Sequence, residues 1–121
     1  MPKKHLEAHV RHQSGLAIID LHGDIDAFAE EALSTAYNGA SNGDPAAILL
    51  NFADVEYINS TGIALIVGLL AKARQARRRL LTYGLSDHYQ EIFRITRLAD
   101  FMSIFPDEAA ALADAPEQRE M

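Results

Sequence analysis

Residues 46–52, Ala-Ala-Ile-Leu-Leu-Asn-Phe, are apolar at every position except Asn51 and show no alternation. A strand with one wet face alternates apolar with polar; a strand apolar throughout must be covered on both sides. This one segment rules out a sheet lying open on one face. It calls for a central strand with neighbours on either edge and other elements above and below.

The flanking segments supply those elements. Leu6, Ala8 and Val10 alternate with Glu7, His9 and Arg11, the pattern of a half-buried edge strand. Gln13-Ser14-Gly15 provides a turn into Leu16–Gly23, a second strand with Ala17, Ile19 and Leu21 on one face and Leu16, Ile18 and Asp20 on the other. Residues 24–39 read as a helix capped by Asp24 or Asp26, with Phe28, Ala29, Ala32, Leu33, Ala36 and Tyr37 as its inner stripe and Gly39 as its stop. Residues 40–45 form a loop. A second helix follows the central strand, and its spacing predicts Ile63, Ile66, Val67, Leu70 and Ala71 as the buried stripe. Residues 79–85 make a further strand and 86–95 a third helix, capped by Ser86 or Asp87, with Tyr89, Ile92, Phe93 and Thr96 inward. A short strand at 101–105 and a helix opened by Pro106 end the pattern. The order ββαβαβα(β)α predicts a single α/β domain over residues 1–121: a mixed sheet opened by a hairpin, its parallel part built by right-handed crossovers. The core is expected at about residues 6–114, with 115–121 a frayed tail.

Charge and composition narrow the function. A formal net charge of -6 is wrong for a nucleic-acid binder, which needs a basic surface. With no cysteine, disulfides and thiolate zinc sites are excluded. The start of the chain has no apolar leader, and Gly62–Ala71 is about half as long as a bilayer span. A cytoplasmic protein without membrane insertion is expected.

The informative stretch is Asn59-Ser60-Thr61-Gly62, four small residues between the central strand and the second helix. One reading is mechanical: Asn or Ser there caps the helix, contributing about 1 kcal/mol, and Gly62 permits close packing. The other is chemical. A hydroxyl at a helix N-terminus sits in a positive field, and a phosphoryl group added there would bring almost two negative charges to one face without unfolding the domain.

Residues 54–68 resemble the signature of STAS domains, and of the bacterial anti-sigma factor antagonists among them, through Asp54, Tyr57, Ile58, Ser60, Thr61 and Gly62. Gly23, Ile25 and Asp26 are similar to a second element of that family at its first helix. Residues 92–105 are similar to a third. The resemblance runs from about Leu6 to Leu112.

It implies that Ser60 is the residue phosphorylated by a partner anti-sigma factor, a serine kinase of the histidine-kinase-like ATPase type, with Thr61 as second choice. It also implies that the unphosphorylated form holds the kinase and phosphorylation releases it. Asp24, Asp26, Asn59, Thr61 and Gly62 would form the switch surface. The chain would then be no enzyme and need no cofactor, since the ATP belongs to the kinase; a phosphatase and self-association are compatible. Two positions depart from the family: Asn59 stands where Asp is usual, and Arg97 where glycine is usual. Some members of the family are scaffolds or ligand sensors that are never phosphorylated.

Three further features bear on function. Leu65 and Leu69 fall on the outer face of the predicted stripe and form a candidate partner-binding surface. The basic cluster Lys72–Arg79 complements a helix C-terminus. A reading of another class, a small hydrolase or metal-dependent enzyme, would centre on His22, Asp24 and Ser60. No Gly-x-Ser-x-Gly elbow supports it, and no further histidine follows at ligand spacing.

Overall fold

The computed structural model describes residues 4–114. Strands β1 (Glu7–Gln13), β2 (Leu16–Ile25), β3 (Ala47–Ile58), β4 (Arg79–Tyr83) and β5 (Ser103–Phe105) form one five-stranded sheet in the order β1-β2-β3-β4-β5. The β1–β2 pair is antiparallel and all later pairs are parallel. Ser14 and Gly15 join the first pair with φ angles of 52° and 80°. Two left-handed residues give a hairpin turn whose twist matches that of its strands.

Helices α1 (Glu30–Ser41), α2 (Ser60–Gln75) and α3 (Asp87–Ile95) each connect neighbouring parallel strands. With the strands laid down in sequence order, right-handed crossovers place all three on one face. The core there joins Ala17, Ile19, Ile48, Leu50 and Phe52 of the sheet to Leu33, Tyr37, Ile66, Leu70 and Phe93 of the helices. The opposite face, with Leu16, Ile18, Leu49 and Leu81, packs against Ala111 and Leu112 of α4 (Glu108–Asp114). The central strand is therefore covered on both sides, as its lack of alternation requires.

Several boundaries differ from the sequence reading. β2 runs on through Asp24 to Ile25, so Asp24 is a strand residue and does not cap the helix. Asp26 caps a short 3-10 turn at Ala27–Ala29, and α1 starts only at Glu30. Phe28, assigned to the inner stripe, rides on that turn and is 72% exposed. Gly39 does not stop α1, which continues to Ser41 and buries Ala40. β3 extends past Phe52 to Ile58, still pairing with β2 after register shifts at His22 and Asp24. Thr96 follows α3 and is exposed. The expected frayed tail at 115–121 lies outside the described residues.

The basic cluster does more than complement a dipole. Arg78 turns back across the end of α1, donating to Tyr37 Oη (3.1 Å), Ser41 Oγ (3.1 Å), Asp44 Oδ1 (2.8 Å) and the Pro45 carbonyl (3.0 Å). It is a structural clamp between α1 and the start of β4. Arg97 adopts φ 70°, the left-handed conformation in which glycine has no Cβ penalty.

Candidate functional site

The site forms where β3 outruns the sheet and turns into α2. Asn59 is extended (φ -94°, ψ -176°) and its side-chain Oδ1 accepts from the Gly62 amide at 2.9 Å. Its carbonyl takes the Ile63 amide at 2.9 Å, the first bond of the helix, and its own amide donates to the Ile25 carbonyl at 3.2 Å. Asn59 thus caps α2 and ties its start to β2. Among the described residues, the amides of Ser60 and Thr61 have no acceptor and are open donors, as at the start of any α-helix.

Ser60 and Thr61 are the first two residues of α2 and both are exposed. Among the described residues, neither hydroxyl makes a hydrogen bond. The first turn carries no acidic residue, so the helix N-terminal field at Ser60 is not cancelled from within its own helix. This arrangement can accept a dianion: a free oxygen, open amides beside it, and a position outside the core.

The predicted switch residues gather here in part. Ile25 and Ile58 are register partners, so Asp26 and Asn59, each next along its strand, emerge from the same edge of the sheet. Asp26 is 5% exposed, and its Oδ1 accepts from the Phe28 amide at 2.9 Å. Asp24 sits one step back, opposite Tyr57. Gly62 is buried against the end of β2.

The predicted docking leucines are placed differently. Leu69 is 4% exposed and belongs to the main core, and Leu65 is half-buried against it. The helix sits rotated from the phase inferred from its apolar residues: Gly62, Ile66, Leu69, Leu70 and Ala73 face inward. Val67 is 45% exposed, and Ala64, Gly68 and Ala71 are exposed with it. Gly62, a residue with no hydropathy of its own, carries the signal for the true phase. Two exposed aromatics near the turn were also missed as surface: Phe28, and Tyr57 at 50% exposed.

The hydrolase constellation does not assemble. The His22 Nδ1 pairs with Asp54 Oδ2 at 3.0 Å, and its ring lies edge-on to His9, 5.9 Å between centroids. Ser60 makes no hydrogen bond to His22 or Asp24. Among the described residues there is no group of three His, Asp or Glu side chains able to hold a metal ion. No described helix is long and apolar enough to cross a membrane.

Comparison with known proteins gives this geometry a family. The anti-sigma-B factor antagonist of Listeria monocytogenes is 30% identical over 82 residues, covering 68% of this chain and 72% of that protein. An anti-sigma factor antagonist from Mycobacterium paratuberculosis superposes with a TM-score of 0.79 over 92% of this chain and 94% of its own, at 18% identity. The anti-sigma factor antagonist SpoIIAA in its unphosphorylated form gives 0.69 at 17% identity over 94% and 99%. The phosphorylated form of the Bacillus protein gives 0.65 at 21% identity over 86% and 96%. The profile of the STAS domain matches residues 7–111, from the first strand to the last helix, and the chain belongs to the STAS domain family.

Proposed function

We propose that this protein is an anti-sigma factor antagonist whose hold on its anti-sigma factor is gated by phosphorylation of Ser60. The observation that carries the reading is the Ser60 side chain, exposed at the first position of α2 and free of hydrogen bonds to other described residues. The similarity to the Listeria antagonist adds the partner class.

In this reading Ser60 Oγ attacks the γ-phosphorus of ATP bound to the kinase. The new O–P bond forms as the β–γ bridge breaks, ADP departs, and the hydroxyl proton passes to a base on the kinase. The product dianion lies against the open amides of the α2 start, which stabilises it in place. The same charge sits on the rim where the exposed Tyr57, Ala64 and Val67 present apolar surface, and a partner docked there must desolvate it. Burying that dianion under a partner that brings no matching cation costs more than the contacts return, so the partner leaves. The chain performs no chemistry of its own.

Asn59 supports both states. It supplies the cap with an amide oxygen and adds no charge beside the acceptor, so the phosphate meets less repulsion than it would beside Asp.

Intact-mass measurement on protein isolated from its native host, wild type against Ser60→Ala, tests the reading. One added phosphate in the wild type alone is expected. An unmodified wild type under all growth conditions, or a phosphate retained in Ser60→Ala, overturns it.

A further inference from the structure

β3 outlasts its neighbour on one side. Its last pairing with β4 is Asn51 opposite Tyr83, whereas its pairing with β2 continues to Ile58 opposite Ile25. Successive amides of a strand point to opposite edges. The Asn59 amide points to β2, where it meets the Ile25 carbonyl. The Ile58 amide therefore points toward β4, beyond the place where β4 has ended. Ile58 is buried, and an unpaired amide there would cost about 1–3 kcal/mol.

A side chain from α3 fills the gap. The Ile58 amide donates to the Tyr89 hydroxyl at 2.9 Å, in a buried setting. Tyr89 is itself held firmly. It lies in the first turn of α3, where its amide donates to the Ser86 cap at 3.3 Å, and it is 8% exposed. One turn on, Phe93 is fully buried and meets Phe52 of β3 edge-on at 6.0 Å.

We infer that Tyr89 is a positioning residue for the Ser60 turn. Its hydroxyl replaces the missing strand and fixes the last residues of β3, so the turn is anchored from both sides: from β2 through Ile25, and from α3 through Tyr89. The consequence for modification rests on the Ser60 reading above. Phosphoryl transfer needs Ser60 Oγ in line with the γ-phosphate, and misplacement by about 1 Å can cost on the order of a hundredfold in rate. A second anchor two residues before the acceptor narrows the positions it can take.

Tyr89→Phe removes one oxygen and keeps the ring. Tyr37→Phe is the control: Tyr37 is 5% exposed and its hydroxyl accepts from Arg78, so it removes a partly buried hydrogen bond at a site outside the turn. Two readouts are compared at equal loss of Tm. Amide hydrogen exchange at Ile58 is expected to speed up by on the order of tenfold in Tyr89→Phe and to stay unchanged in Tyr37→Phe. The rate of Ser60 phosphorylation in host lysate supplied with Mg-ATP, followed by intact mass, is expected to fall several-fold in Tyr89→Phe only. Equal exchange at Ile58 in both variants overturns the anchoring. Faster exchange with an unchanged phosphorylation rate overturns its role in positioning Ser60. A wild type that never gains phosphate overturns the proposed function instead, and the exchange comparison still decides the anchor.

Discussion

Gly62 lies so close to the main chain of Ile25 that a Cβ at position 62 would fall 2.1 Å from the Ile25 carbonyl oxygen and 2.8 Å from its carbon. The atom in the way is backbone, part of the strand that also accepts the Asn59 amide, so it cannot swing aside. Gly62→Ala gains about 1 kcal/mol of helix propensity and loses more to the displacement of α2. The expected outcome is a net loss of about 1–3 kcal/mol, read as a drop in Tm, together with weakened partner binding. A stable Gly62→Ala variant with normal binding would show that α2 need not approach β2 this closely.

Asn59 separates the mechanical from the chemical role of the turn. Asn59→Ala deletes the bond to the Gly62 amide and is expected to lower stability by about 1 kcal/mol. Asn59→Asp keeps an acceptor and adds a charge that the helix dipole favours, so its Tm is expected to match or slightly exceed the wild type at neutral pH. If the proposed function holds, Asn59→Asp also puts a negative charge next to the phosphoacceptor, and the phosphorylated form loses stability relative to wild type. Chemical denaturation of the modified and unmodified proteins measures both effects.

Leu69 and Val67 are two positions apart on α2 and face opposite environments, one 4% and the other 45% exposed. Leu69→Ala leaves a cavity in the main core and is expected to cost about 2–5 kcal/mol. Val67→Asp is expected to change Tm by less than a degree or two while weakening capture of the anti-sigma factor at least tenfold, because it places a charge on the exposed face of α2, about two turns on from Ser60. Binding lost only in Leu69→Ala, in step with unfolding, would remove this face of α2 from the partner surface.

The layer architecture was legible because strands and helices carry different periods. The central strand required cover on both faces, and Ser14-Gly15 announced the hairpin. The cap at Asn59 was legible too, since small polar residues before an apolar helix serve one mechanical purpose in any fold. The face of α2 was not. Ile63, Val67 and Ala71 match an inner stripe as well as Leu69 and Ala73 do, and with residues 60–75 so apolar, hydropathy alone leaves the rotation undetermined. Close approach of Gly62 to β2 decides it, and that is a tertiary fact. Tyr89 was read correctly as inward-facing. Its hydroxyl partner depends on β4 ending before β3, which a local pattern does not express. The extension of β2 over Asp24 and Ile25 was hidden by turn-like composition, and it leaves Asp26, of the two candidate caps, to do the capping.

Acid should loosen α4 before the rest of the domain. Arg11 on the edge strand joins Asp20 of β2 (Nε to Oδ2, 2.7 Å) to Glu108 of α4 (Nη2 to Oε1, 2.8 Å), and Tyr83 Oη donates to the same Glu108 oxygen at 2.6 Å. The Arg11 hydrogen bonds hold both carboxyls below their ordinary values of 3.8 and 4.5; Asn51 adds to the effect at Asp20, and Tyr83 at Glu108. A carboxyl depressed in the folded state binds fewer protons folded than unfolded. Its stabilisation is therefore complete above those ordinary values and is lost as pH falls through the lower, folded ones. Since Glu108 sits in the first turn of α4, protonation weakens the polar attachment at that end of the helix and leaves the Arg79–Asp114 pair (3.0 Å) and the apolar contacts of Ala111 and Leu112 to hold it. Amide exchange in α4 is expected to rise steeply below about pH 4 while the α1–α3 face stays protected. Glu108→Gln is expected to be less stable than wild type at pH 7 and to show a shallower acid limb in Tm against pH, because the group that titrates is gone. An acid limb as steep as the wild type's would assign the loss to other carboxyls and free α4 from this network.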